Sequence, residues 1–146
     1  MSWLGIDADP RTISTAGIGE QYAAFLTSVE TAVGSPRLLA LVEYRLGYIH
    51  GHPVASNSLI SKSEATSLAQ GEFSDFPRAE ASVLAIAERI AFDHHSITDQ
   101  QVAELSKAWG EATGIALLTA IAFIDVKIRM AQTLATSVQP ASTESN

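Results

Sequence analysis

Residues 38–58 read LLALVEYRLGYIHGHPVASNS, and the pattern inside this stretch decides how the rest of the chain is read. Leu38, Leu41, Val42, Arg45 and Ile49 recur at helical spacing, which places most of the set on one helix face. The pattern stops at His50-Gly51-His52-Pro53, because a glycine and a proline close together end a helix. Two imidazoles are left at the break, and a short apolar stretch resumes at Val54. A helix that is cut with side chains of tunable pKa at the cut is one way to build a small site.

Upstream, Ile18, Tyr22, Phe25, Leu26, Val29 and Val33 form a helical stripe, and Gly34 follows as a stop. Ser35 as N-cap and Pro36 at the first helical position open the helix that runs to about Tyr48 or His50. Downstream, Ser61 and Glu64 fit a capping box for a short helix ending at Gln70, before Gly71. GEFSDFP is a loop with two aromatics, and Pro77 opens a helix to Asp93. His94-His95-Ser96-Ile97 reads as a surface turn. Thr98 caps a helix over 99–109 that starts with a favourably placed Asp99. The last helix, Glu111 to Leu134, is apolar nearly all round in its middle, IALLTAIAFI, which predicts burial on several sides and an oligomer interface. The expected organisation is an all-α fold of about six helices. Residues 1–17 form an N-terminal arm in which Trp3 and Leu4 are packing candidates, 18–134 the helical domain, and 135–146 a disordered tail.

Composition narrows the function. The 146 residues are enough for one domain with a substantial core. A net charge of −7 disfavours nucleic acid and anionic membrane surfaces as partners. The chain has no cysteine, so thiol nucleophiles, disulfides and dithiol redox cycles are excluded. The opening MSWLGIDADP lacks the basic and apolar regions of a secretory signal, and no apolar run is long enough to span a bilayer. A cytoplasmic protein without membrane or nucleic-acid partners is the expectation.

The segment from Phe76 to Leu134 resembles the second half of the carboxymuconolactone decarboxylase and alkylhydroperoxidase D-like family. Asp93, Ile97, Thr98, Asp99 and Arg129 fit the family's acidic turn and the Arg near the end of its long apolar helix. SPRLLALVEYRLGYIHG resembles the helix that precedes the family's site. The resemblance implies an alkylhydroperoxidase D-like helical fold that assembles as a homo-oligomer, a trimer or hexamer. Redox members carry a Glu, a Cys-x-x-Cys pair and a His; aligned on Arg45 and Gly51, those positions fall on Ala40, His52, Ala55 and Leu59. The scaffold is kept and the redox chemistry is not, so no peroxidase activity is expected. Decarboxylase-type relatives work through acid–base groups and need no thiol.

The candidate acid–base residues are therefore His52, His50 and Glu43, with Tyr48, Arg45 and Asn57 as substrate-binding candidates. His52 stands where redox relatives keep their first cysteine, which predicts a side chain aimed into a cavity beneath the site helix. Each residue also has a structural reading. The histidines suit a helix C-terminus, Glu43 and Arg45 suit ion pairs with other helices, and Tyr48 suits a core. Asp125, Lys127 and Arg129 interrupt the last helix and require partners if buried. The histidines lack metal-ligand spacing, and neither a metal nor a cofactor is expected. Two function classes stand: a cofactor-independent lyase or isomerase acting on a small organic acid, and a non-catalytic ligand-binding or assembly protein on the same scaffold.

Overall fold

Short-range signals set the elements. The computed structural model of the chain describes residues 18–55 and 57–137. Six α-helices follow one another: α1 Ile18–Val33, α2 Pro36–Ile49, α3 Lys62–Gln70, α4 Arg78–Asp93, α5 Asp99–Trp109 and α6 Glu111–Ser137. A 3₁₀ turn, His94–Ser96, joins α4 to α5, and no strand occurs among the described residues. Ser35 caps α2 by accepting from the Leu38 N–H. Ser61 and Glu64 form the reciprocal capping box of α3, and Thr98 and Gln101 that of α5. Pro77 is the N-cap of α4 rather than its first residue, with no side-chain cap bond. The last helix runs beyond Leu134 to Ser137, so the first residues of the expected tail are helical. The expected arm, with Trp3 and Leu4, and residues 138–146 lie outside the described residues.

Helices α2, α4 and α6 pack pairwise and enclose the main core. α1 lies along α6 and touches α2, α5 closes against α4 and α6, and α3 rests on α2. Leu38, Leu46, Val83, Ile86, Leu105 and Ile124 meet in that core at 1% exposure or less. Each such side chain contributes about 1.5–3 kcal/mol by leaving water. A smaller core of Leu41, Leu68, Phe76 and Leu84 seats α3 and the aromatic loop, where Phe73 meets Phe76 edge-on at 6.4 Å.

α6 faces two ways. Leu117, Ile121, Ile124 and Ile128 are buried at helical spacing, while Ile115, Val126 and Met130 point outward at 60%, 49% and 45% exposure. Among the described residues no helix is long and apolar enough to cross a membrane. At the other side of the bundle, Arg37 ties together the starts of α2, α3 and α4. Its Nη2 lies 2.7 Å from Glu64 Oε1 and its Nε 2.9 Å from Glu80 Oε1. The Arg37 guanidinium, helped by the Ser61 N–H, holds the Glu64 carboxyl down to about 2.

Candidate functional site

The break after α2 is built on close backbone approach. His50 is the C-cap, its N–H donating to Leu46 O at 3.1 Å. Gly51 takes φ +65°, a conformation that side chains with a Cβ rarely adopt. The chain then folds back, and His52 N–H donates to Gly47 O at 2.8 Å. A Cβ on Gly47 would stand 2.8 Å from His52 O, so that position admits only glycine without a shift of the loop.

This turn leaves His50 facing α6. Its Nε2 lies 2.5 Å from Asp125 Oδ1, and the two side chains are 11% and 10% exposed. Asp125 Oδ2 accepts from Arg129 Nε at 2.9 Å, one helical turn further on. Arg129 Nη2 donates to Ala91 O at 3.1 Å, in the last turn of α4. Gln132 Nε2 donates to the backbone carbonyl of His50. The result is a chain of polar contacts from the end of α2, through α6, to the end of α4. It opens to the surface at Arg129, whose side chain is 53% exposed.

Chemically, a carboxylate on one ring nitrogen fixes the orientation of an imidazole, and its other nitrogen then carries the proton traffic. With Nε2 committed to Asp125, that nitrogen is Nδ1.

The remaining sequence candidates are placed elsewhere. Glu43 pairs with Lys127, Nζ to Oε1 2.7 Å, and the Lys127 side chain is only 4% exposed. Burial pulls the Lys127 amine below the ordinary lysine range, against the opposing pull of Glu43 and Glu30. Arg45 reaches the other way, to Glu88 at 2.6 Å and to the carbonyls of Leu68 and Ala69 at the end of α3. Residues two apart on a helix lie about 200° apart around its axis, so Glu43 and Arg45 do not serve one pocket. Tyr48 is 41% exposed and stacks on Tyr44, ring centroids 5.3 Å apart. Asn57 is exposed and its side chain accepts from the Leu59 N–H, a local turn contact. His52, expected to aim inward, stands on the surface, because the fold-back over Gly47 turns the backbone after His50 outward. His94 and His95 stack on each other at 4.0 Å, exposed, in the 3₁₀ turn.

Periodicity had marked the interrupting charges of α6 as needing partners, but not that Asp125 and Arg129 belong with His50. Gln132 carried no signal of its own. Among the described residues no three His, Asp or Glu side chains gather as a metal site. Comparison of the chain with protein-family models, with curated proteins and with solved structures finds no match in any of the three.

Proposed function

We propose that the chain is a divergent carboxymuconolactone decarboxylase-like protein that works without thiols, as a cofactor-independent lyase or isomerase on a small organic acid. The observation that carries this reading is the His50–Asp125 pair, 2.5 Å apart and nearly out of water at the cut end of α2. In this reading Asp125 holds the ring, and His50 Nδ1 takes a proton from the substrate carbon or returns one to it. Arg129 beside the pair supplies positive charge for the substrate carboxylate, and exposed His52 is a second titratable group at the rim. The order of six helices and the place of Arg129 support the family reading, which includes assembly as a trimer or hexamer.

A second reading is favoured by the same contacts. Gln132 and Arg129 hold the last carbonyls of α2 and α4, so the cluster also fastens two helix ends to α6. In a non-catalytic assembly protein that fastening would be its whole purpose.

Deuterium exchange separates the two. The protein is incubated in D₂O with a panel of short keto acids, lactones and unsaturated dicarboxylates, and wash-out of the proton next to the carbonyl is followed by ¹H NMR. His50→Gln should slow exchange by roughly 10²–10⁴-fold, the usual scale of a lost general base. A joint His94→Ala/His95→Ala change should leave it alone. Exchange equally fast in His50→Gln and wild type would assign the pair to fastening.

A further inference from the structure

Two helix ends meet at the His50–Asp125–Arg129 cluster, and both are C-terminal. α2 ends at Ile49 with His50 as its cap, and α4 ends at Asp93. The last carbonyls of a helix carry the negative end of its dipole, equivalent to about half an elementary charge. Both ends turn carbonyls toward α6: Gln132 Nε2 donates to His50 O, and Arg129 Nη2 donates to Ala91 O at 3.1 Å. Asp93, two residues beyond Ala91, adds an exposed carboxylate to the end of α4.

One guanidinium is set against these. Asp125 accepts from Arg129 Nε at 2.9 Å, so the two side chains cancel in net charge. The nearest other permanent cations in sequence are turned elsewhere. Lys127 is two residues from both along α6, hence about 200° round the helix, and is buried on Glu43. Arg89, near the end of α4, donates from Nη1 to Ser96 Oγ at 3.2 Å in the 3₁₀ turn. Arg129 keeps room for one anion: its Nη1 has no acceptor among the described residues, and its side chain is 53% exposed.

We infer that the substrate of this site is a monoanion, an acid whose single carboxylate seats on Arg129 Nη1 and whose remaining length is uncharged. The chemistry at His50 rests on the proposed function; the choice of acid rests on charge alone. A first carboxylate takes a charge-assisted hydrogen bond from a donor that is otherwise unspent. A second carboxylate faces the carbonyl ends of α2 and α4, Asp125 and Asp93, and finds no second guanidinium or ammonium to hold it. The chain's net charge of −7 works in the same direction. Dicarboxylates are thus rejected by an unpaired charge rather than by shape. The discrimination expected is roughly three- to tenfold, the size of like-charge repulsion across several ångströms near a wetted surface.

Three probes share a five-carbon 2-oxo acid chain and differ in charge: methyl 2-oxopentanoate is neutral, 2-oxopentanoate a monoanion and 2-oxopentanedioate a dianion. Each is titrated into the protein at low salt and pH 8, above the range in which imidazole ordinarily titrates. The Arg129 Nε–H signal is followed by ¹⁵N NMR, and deuterium exchange next to the ketone is read in parallel. 2-Oxopentanoate should bind roughly three- to tenfold more tightly than 2-oxopentanedioate, and more tightly than its methyl ester. Arg129→Gln, at unchanged helicity, should remove the preference for the acid over the ester, and Arg129→Lys should restore it in part. Asp93→Asn should bring the dianion about twofold closer to the monoanion. Equal or tighter binding of 2-oxopentanedioate overturns the assignment, as does a preference for the acid that survives Arg129→Gln or an Arg129 signal that no probe moves. If binding follows the expected order and no probe exchanges, the proposed chemistry fails and the charge selection stands. If 2-oxopentanedioate binds and exchanges as well as 2-oxopentanoate, and His50→Gln abolishes both exchanges, the chemistry stands and the selection fails.

Discussion

Arg45 and His50 belong to the same helix, one within it and one at its end, and both reach an acidic partner. The two regions are nonetheless built differently. Arg45 is spent: Nε and Nη2 go to Glu88, Nη1 goes to the carbonyls of Leu68 and Ala69, and the side chain is 12% exposed. The Glu43–Lys127 pair is closed in the same way. The His50 cluster ends at a half-exposed arginine and contains an imidazole with one ring nitrogen beyond its carboxylate contact. A charged residue near a helix break is therefore no guide by itself. What separates fastening from chemistry is whether the donors are all consumed and whether the group is of a kind that both accepts and donates a proton.

That contrast can be broken most forcefully at Lys127. Lys127→Met leaves Glu43 with a buried charge and should cost about 3–5 kcal/mol in urea unfolding. Joining it with Glu43→Leu should recover most of the loss, to within about 1 kcal/mol of wild type, because a buried pair replaced by apolar groups is often neutral. A single variant as stable as wild type would mean the pair is not closed.

Arg45→Met should come next, at about 3 kcal/mol. Glu88 keeps 27% exposure and regains some water, which holds the loss toward the lower end of the range. The carbonyls at the end of α3 lose their donor as well, so amide exchange should rise in α3 before it rises in α6. Uniform exchange across the two helices would count against a fastening role confined to that corner.

Acid sharpens the comparison from outside the site. The folded Glu64 carboxyl sits at about 2 against an ordinary 4.5, so its contribution is fully present above pH 4.5 and is lost as pH falls toward 2. Glu64→Gln should flatten the acid limb of the stability curve between those values, by an amount that 29% exposure keeps modest. An unchanged limb would place the Arg37 cluster among ion pairs of no consequence.

The smallest stability effect is expected at His50. In His50→Gln, Asp125 still accepts from Arg129 and an amide can reach the carboxylate, so unfolding should move by no more than about 1 kcal/mol. Large loss of exchange activity with small loss of stability is the signature of an open cluster. The reverse pattern, stability lost and activity kept, would move His50 into the same class as Arg45.

The elements of the fold were legible in sequence because their signals are local. Ser35 with Pro36, Ser61 with Glu64, and Thr98 mark helix starts within a few residues of the bonds they make, and the apolar stripes of α1, α2 and α4 repeat at the helical period. Glu43, Arg45 and His50 were visible as chemistry-bearing residues on or at the end of α2, and Asp125 and Lys127 as charges in need of partners, but not which of them meet; Glu88 carried no signal.

The order of helices, the starts marked by Ser35, Ser61 and Thr98, and the absence of thiols were legible in the chain alone, whereas the division of α6 into a buried and an outward stripe, where its sequence reads as apolar nearly all round, came from packing. Tertiary structure decided the pairings: His50 with Asp125, Glu43 with Lys127 and Arg45 with Glu88. The physical reason is that a helix presents successive residues at 100° steps, so which neighbour a side chain meets depends on the rotation and crossing of packed helices. Local periodicity does not encode those angles. Only packing turned His50 toward α6 and left His52, beyond Gly51, on the surface.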